Sequence, residues 1–222
     1  DARYQFKLGT QGYSLSIALA HNSSDNDYDY PDGGTNLNGD FQNTALNVGL
    51  GFKLSRQHSL RLFSEVFDGE RHFSLIRASE TRTKYDDLNT KNLLEWEYDF
   101  SNFTSIARLA YLEEYYKYFG NLDSDNFSFG KAKTTIAKYD LTYAFSEALS
   151  INSVLTNTYT SGEGSSLGDN DRNIFSAAVL MKHQLKNELD YELGFRKEIT
   201  NNYESPFLFS VAASKAFSEH FS

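Results

Sequence analysis

The chain has 222 residues, with 21 Lys and Arg against 30 Asp and Glu, a formal charge of −9, and no Cys. That acidic balance repels phosphate backbones and leaves no basic stripe, which disfavours nucleic-acid binding, and the lack of Cys excludes disulfides and thiolate zinc sites. No run approaches the ~18 apolar residues of a transmembrane helix, while 15 Tyr, 18 Phe and one Trp are far too many for an intrinsically disordered chain.

Alternation starts at once. Tyr4, Phe6 and Leu8 alternate with Arg3, Gln5 and Lys7, predicting a strand over 3–9 rather than a signal peptide; export information has been removed, or this is not the start of the gene product. A turn at Gly9-Thr10-Gln11-Gly12 leads to a second strand over 12–21, with Tyr13, Leu15, Ile17 and Leu19 on one face. The polar stretch 22–41, including Asn22 to Asp27, reads as a long loop. Leu46, Val48, Leu50, Phe52 and Leu54 mark a strand over 42–54. A serine-containing turn, Leu54-Ser55 to Ser59, then opens the strand 58–68.

The same unit repeats. A polar stretch 69–89 precedes a strand over 90–100, the turn Phe100-Ser101 to Ser105, and a strand over 103–115. A polar stretch 116–127 precedes a strand over 128–145, the turn Phe145-Ser146 to Ser150, and a strand over 148–160. A polar stretch 161–172 precedes a strand over 173–185, a looser turn Leu185 to Asp190, and a strand over 188–200. After 201–204 comes a strand over 205–217, and the motif recurs at Phe217-Ser218 to Ser222.

Short turns thus alternate with long polar segments. A soluble β-sandwich, the fallback for an aromatic-rich β-chain, has no reason to keep every short turn at one end. An outer-membrane barrel does, with short periplasmic turns and longer external loops. The expected fold is therefore all-β: an antiparallel transmembrane β-barrel of about eleven meandering strands. Single-chain bacterial barrels have an even strand number, so residues 1–222 are expected to form part of one larger barrel domain. Phe100, Phe103, Phe145, Tyr191 and Phe217 lie by short turns. Tyr111, Tyr115, Tyr116, Tyr118, Phe127, Phe129 and Tyr159 lie near the long-segment ends. Phe103 to Tyr115 spans roughly 28 Å of height for a tilted strand, near the ~25 Å apolar band between aromatic girdles.

Several phrases, namely Asn92-Leu93-Leu94-Glu95-Trp96-Glu97-Tyr98, 109–114, 127–133, Phe195-Arg196-Lys197-Glu198 and Ser205-Pro206-Phe207-Leu208-Phe209-Ser210, resemble the barrel portion of TonB-dependent outer-membrane receptors, particularly those of the Bacteroidetes type. The resemblance covers most of the chain. It implies about half of a 22-stranded plugged barrel, with the remaining strands and the plug absent, located in the cell outer membrane. It further implies outer-membrane lipid, a small-molecule solute and, through the missing plug region, the TonB complex as partners. The intact protein would import a scarce solute such as a ferric siderophore or cobalamin, or a sugar or peptide. The alternative is a self-contained porin or adhesin barrel.

Catalytic chemistry is not expected. His21, His58, His72, His183 and His220 are scattered, with no HExxH motif and no nucleophile elbow. Asp25, Asp27, Asp29 and Asp32, with Asp123, Asp125, Asp169 and Asp171, could offer oxygen ligands to calcium. However, Tyr30 and Asn36 occupy the places of the EF-hand Gly and Glu, so solvated loop charge is the better reading. Gly162 to Gly168 lacks the Lys of a phosphate loop and precedes a strand, which marks an ordinary flexible loop. Lys53, Arg61, Arg108, Lys138 and Asp140 are expected to face inward, where they could meet a plug or solute or simply hydrate the lumen. No catalytic, cofactor or metal residue is assigned, and the solute-binding residues are left open.

Overall fold

The computed structural model describes residues 1–31, 33–36, 38–74, 82–185 and 189–215. The strands are β1 Ala2–Gly9, β2 Tyr13–Ser24, β3 Tyr28–Asp29, β4 Thr35–Asn36, β5 Phe41–Lys53, β6 His58–Ser74, β7 Arg82–Phe100, β8 Phe103–Phe119, β9 Ser128–Ala144, β10 Leu149–Gly164, β11 Leu167–Leu185, β12 Leu189–Thr200 and β13 Leu208–Lys215. Eleven form one antiparallel meander in the order β1-β2-β5-β6-β7-β8-β9-β10-β11-β12-β13, while β3 and β4 make a separate two-stranded ribbon. The edges of the large sheet are β1 and β13.

Register gives every strand the same two-sided character. Phe6 pairs with Ile17, Leu15 with Leu50, Leu50 with Leu62, Leu62 with Leu94, Leu94 with Leu109 and Leu109 with Ala137. Cross-strand partners share a face, so these apolar residues make one continuous surface. It is not covered by protein: among the described residues no hydrophobic side chain is buried, and Phe6, Leu109 and Phe195 are each about half exposed. A water-soluble sandwich would seal this face in a core. An apolar face left open over eleven strands calls for lipid.

The turns explain why the register holds. Ser55 Oγ accepts from the amides of Gln57 and His58, and Ser146 Oγ accepts from those of Ala148 and Leu149. Each turn is closed by a backbone bond, Leu54 N–H to His58 and Phe145 N–H to Leu149. The third serine acts differently. Ser101 takes a left-handed φ of 52° in a two-residue reversal between the paired Phe100 and Phe103. The expected turns at Leu185 to Asp190 and Phe217 to Ser222 involve residues outside those described.

The polar stretches need correction. Residues 69–74 and 82–89, expected as loop, extend β6 and β7, and β8 continues to Phe119. The stretch 161–172 is not a long loop: β10 and β11 pair up to Gly164 and Leu167, leaving a tight turn at Ser165-Ser166 with a register shift next to Gly162. Phe129 N–H donates to Ser165 Oγ, tying this turn to β9. Within 22–41 the β3–β4 ribbon, where Thr35 donates to Asp29, was not anticipated. At 205–217 only Leu208–Lys215 is strand among the described residues. Above the bilayer both faces of a strand meet water, so alternation fades although the ladder continues.

Charge follows the same division. The described strands carry 18 Lys and Arg and 18 Asp and Glu, so the −9 of the sequence comes from residues outside them.

Candidate functional site

The face opposite the apolar one carries the sequence's concentrated chemistry, in two places. Towards the short turns, Arg61 reaches Glu95 (2.7 Å) and Glu97 (2.8 Å). Glu95 also receives Arg108 Nε at 2.5 Å, Arg108 reaches Asp140 at 2.6 Å, and Asp140 is 3.2 Å from Lys138. Four adjacent strands, β6 to β9, are thus crossed by one chain of alternating charge. Glu95 and Asp140 are its best-shielded members, with side chains 12% and 18% exposed. Each bridges two cations, which offsets the cost of removing a carboxylate from bulk water. A further inward pair, Lys91 to Glu65 at 2.9 Å, stands higher on β6 and β7.

Of the five residues expected to face inward, register places all five on this face, and Arg61, Arg108, Lys138 and Asp140 join the chain. Lys53 stands apart, opposite Ser59. Glu95 and Glu97 were missed as members; their alternation with Leu94, Trp96 and Tyr98 was the available signal.

Towards the long connections the same face becomes aromatic. Phe73 stacks on Tyr85 with ring centroids 5.5 Å apart, and Tyr118 lies 5.0 Å from Tyr85 and 6.3 Å from Phe73. Tyr116 meets Tyr85 edge-on at 5.9 Å. The Arg71 guanidinium lies 5.2 Å from the Tyr85 ring centre and 3.5 Å from Asp87. Tyr116 and Tyr118, expected with the outer aromatic band, therefore point inward: Tyr111 and Tyr115 share the apolar face, and a strand alternates. Four rings with one guanidinium form a wall suited to a solute with a flat or apolar surface.

The apolar face retains its girdles. By the short turns His58 stacks on Tyr98 (4.6 Å) and Trp96 (5.7 Å), and Tyr98 meets Phe103 edge-on. His58 is thus the half-buried first residue of β6. Tyr111, Tyr115, Phe129 and Tyr159 lie on the same face nearer the long connections.

The remaining candidates are dispersed. His21 Nδ1 is 2.9 Å from Thr44 Oγ1, and His183 Nδ1 is 2.8 Å from the Tyr191 hydroxyl. His72 lies between Asp40 and Glu70 at a polar corner that also holds Lys84, 2.7 Å from Glu70. There the Lys84 hydrogen bond, against burial, holds the Glu70 carboxyl below the usual range. Burial opposes charge on Lys84, but hydrogen bonds to Glu70 and Asp86 outweigh it and raise the amine. Among the described residues no group of three or more His, Asp or Glu is arranged to hold a metal. Asp29 instead accepts from Thr35, and Asp123 faces Arg82. Asp32, His220 and the side chain of Asp169 lie outside the described residues.

The sequence matches no protein-family model and no curated protein sequence. Solved structures do resemble it. A ferric enterobactin receptor from Pseudomonas aeruginosa aligns over 98% of this chain and 39% of its own, with a TM-score of 0.71 and 12% identity. A siderophore receptor, PiuA, from Acinetobacter baumannii aligns over 96% and 43%, with a TM-score of 0.63 and 11% identity. The copper transporter OprC aligns over 94% and 38%, at 0.64 and 10%. The chain thus has the fold of part of the barrel wall of these proteins and spans less than half their length.

Proposed function

We propose that this chain is part of the barrel wall of a TonB-dependent outer-membrane receptor whose work is capture and import of a scarce solute, not bond chemistry. The observation that carries the reading is the eleven-stranded meander with one uncovered apolar face, alike over 98% of its length to about two fifths of a known receptor. Such a face requires lipid, and in bacteria the membrane that holds barrels of this kind is the outer one. Plug and remaining strands would belong to other parts of the intact protein.

For the solute, a metal chelate of the ferric siderophore class fits best, since two neighbours are named for siderophores and a third for copper. None of those three is named for cobalamin. The aromatic wall at Phe73, Tyr85, Tyr116 and Tyr118 gives such a chelate a surface to lie against. The Bacteroidetes-type grouping rests on the sequence phrases alone.

The test is uptake of radiolabelled iron chelates and of copper by cells expressing the intact reading frame, with and without TonB. Uptake of at least one solute that vanishes without TonB supports the proposal. Solute passage unaffected by loss of TonB supports a porin and overturns it.

A further inference from the structure

Midway up the apolar face of β6 and β7 sits a hydrogen-bonded polar pair. Ser64 and Asn92 are cross-strand partners, in the same alternation as Leu62 and Leu94, and the Ser64 hydroxyl donates to Asn92 Oδ1 at 2.8 Å. With Val48, Leu62, Leu94 and Tyr111 they line a recess of about 280 Å³. Ser64 is six residues up β6 from His58, and Asn92 six residues from Tyr98. The pair therefore stands roughly 14 Å above the short-turn girdle, near the middle of the ~25 Å apolar band.

At that depth the leftover hydrogen-bonding groups matter. A primary amide carries two N–H donors. Among the described residues nothing accepts from Asn92 Nδ2, because in the bond with Ser64 the Asn92 oxygen is the acceptor. Tyr111, the partner of Asn92 on β8, gives its hydroxyl to Glu113. Exchanging the amide oxygen and nitrogen still leaves the pair with two donors over. Asn92 is exposed, and hydrocarbon chains offer no acceptor, so bare N–H groups are costly there.

A second amide pair on the same face shows what is particular to the first. Asn157 donates to Asn173 at 2.8 Å, and Asn173 is the cross-strand partner of Tyr159. Asn173 lies ten residues above His183, roughly 23 Å up, where headgroups and water supply acceptors.

An acyl chain would fill the recess at Asn92 but leave the amide bare. A second copy of the protein does both. Copies in one membrane share an orientation, so a two-fold axis between them runs along the membrane normal and sets each residue opposite its equivalent at equal depth. A carboxamide is self-complementary. Asn92 Nδ2 of each copy can donate to the equivalent Oδ1 of the other, which keeps a lone pair beyond the one that Ser64 uses. Leu62, Val66, Leu94 and Leu109, each more than a third exposed, supply the apolar surround.

We propose that the outer face of β6 to β8 is a dimer contact within the membrane, centred on a reciprocal Asn92 amide pair between two copies of the intact protein. The inference rests on lipid covering the apolar face and is independent of the solute carried.

Photo-crosslinking of the intact protein in native outer membranes tests it. Benzoylphenylalanine is placed at Leu94, beside the pair, or at Val179 on β11, exposed on the same face four strands away. At Leu94 irradiation is expected to give a covalent dimer of the protein, and at Val179 lipid adducts alone. Asn92→Leu is expected to lower the dimer yield about fivefold to tenfold, the effect of two hydrogen bonds within a membrane, with the amount of assembled protein unchanged. Should Asn92→Leu assemble poorly, Asn92→Ala removes the amide without adding bulk and gives the same reading. Lipid adducts alone at Leu94, a crosslink only to another protein, equal dimer yields at the two positions, or a yield unaffected by loss of the amide overturns the contact. No lipid adduct at Val179 overturns the membrane placement and the contact with it, an outcome distinct from loss of the dimer alone.

Discussion

Tyr116 packs against Gly130, its ring filling the space that a Cβ on residue 130 would occupy. The contact joins β8 to β9 on the inner face and sets the free edge of the aromatic wall. Gly130→Ala is therefore expected to displace the ring and to destabilise the barrel by about 1 to 3 kcal/mol, the usual cost of overpacking. Thermal unfolding of the detergent-purified intact protein measures the loss. Tyr116→Ala combined with Gly130→Ala should recover most of it, because the clash is then gone.

Breaking the inner charge chain should have unequal effects along its length. Arg108→Met leaves Glu95 and Asp140, both well shielded, facing one another with one fewer cation, and about 2 kcal/mol of stability is expected to go. Arg61 has a 59% exposed side chain, and Arg61→Met should cost less than about 1 kcal/mol because solvent screens the pair. Equal losses at the two positions, read from the same unfolding midpoints, would refute this ranking.

Depth in lipid makes a separate prediction. Leu109 lies mid-strand on β8, on the apolar face, and is 51% exposed. Leu109→Arg is expected to cost about 2 to 4 kcal/mol in a bilayer, whereas the inward Thr134→Arg should cost under about 1 kcal/mol. Folding yields into vesicles for the two variants decide it. A soluble domain would tolerate charge at so exposed a position.

The Glu70–Lys84 pair gives the outer corner a window of pH. The folded-state value of Glu70 is lowered from 4.5, so its contribution is present above that value and is lost as pH falls through the depressed one. That of Lys84 is raised from 10.5, so its contribution is complete below that value and is lost as pH rises through the raised one. Amide exchange at His72, corrected for intrinsic rates, should accelerate at both extremes. Lys84→Met should begin the acid-side acceleration at higher pH.

Legibility in the sequence followed the solvent. Where one face meets lipid and the other water, as at Leu46 to Leu54 or Tyr139 to Phe145, apolar and polar residues alternate and strand and face could both be read. At Arg82 to Leu88 water reaches both faces, so a strand resembled a loop. Ser165-Ser166 sat in such a stretch, and its tight turn was hidden among Gly and acidic neighbours. Adjacent Tyr115 and Tyr116 cannot be separated by composition; only the parity running up from Leu109 and Tyr111 sends one outward and the other in. The same parity identified Arg61, Arg108, Lys138 and Asp140, but which carboxylates bridge them depends on a register that no single strand discloses.

Since the strands themselves are electrically even, the net charge of these 222 residues comes from outside them. Among the described residues outside the strands, seven Asp and Glu, and no Lys or Arg, stand at the end that bears the long segments. An incoming anion therefore meets a fence whose reach is set by salt, about 10 Å at 0.1 M, while a cation or neutral complex crosses it unopposed. Raising ionic strength should hasten the approach of small anionic probes to this end of the chain and slow that of cationic ones.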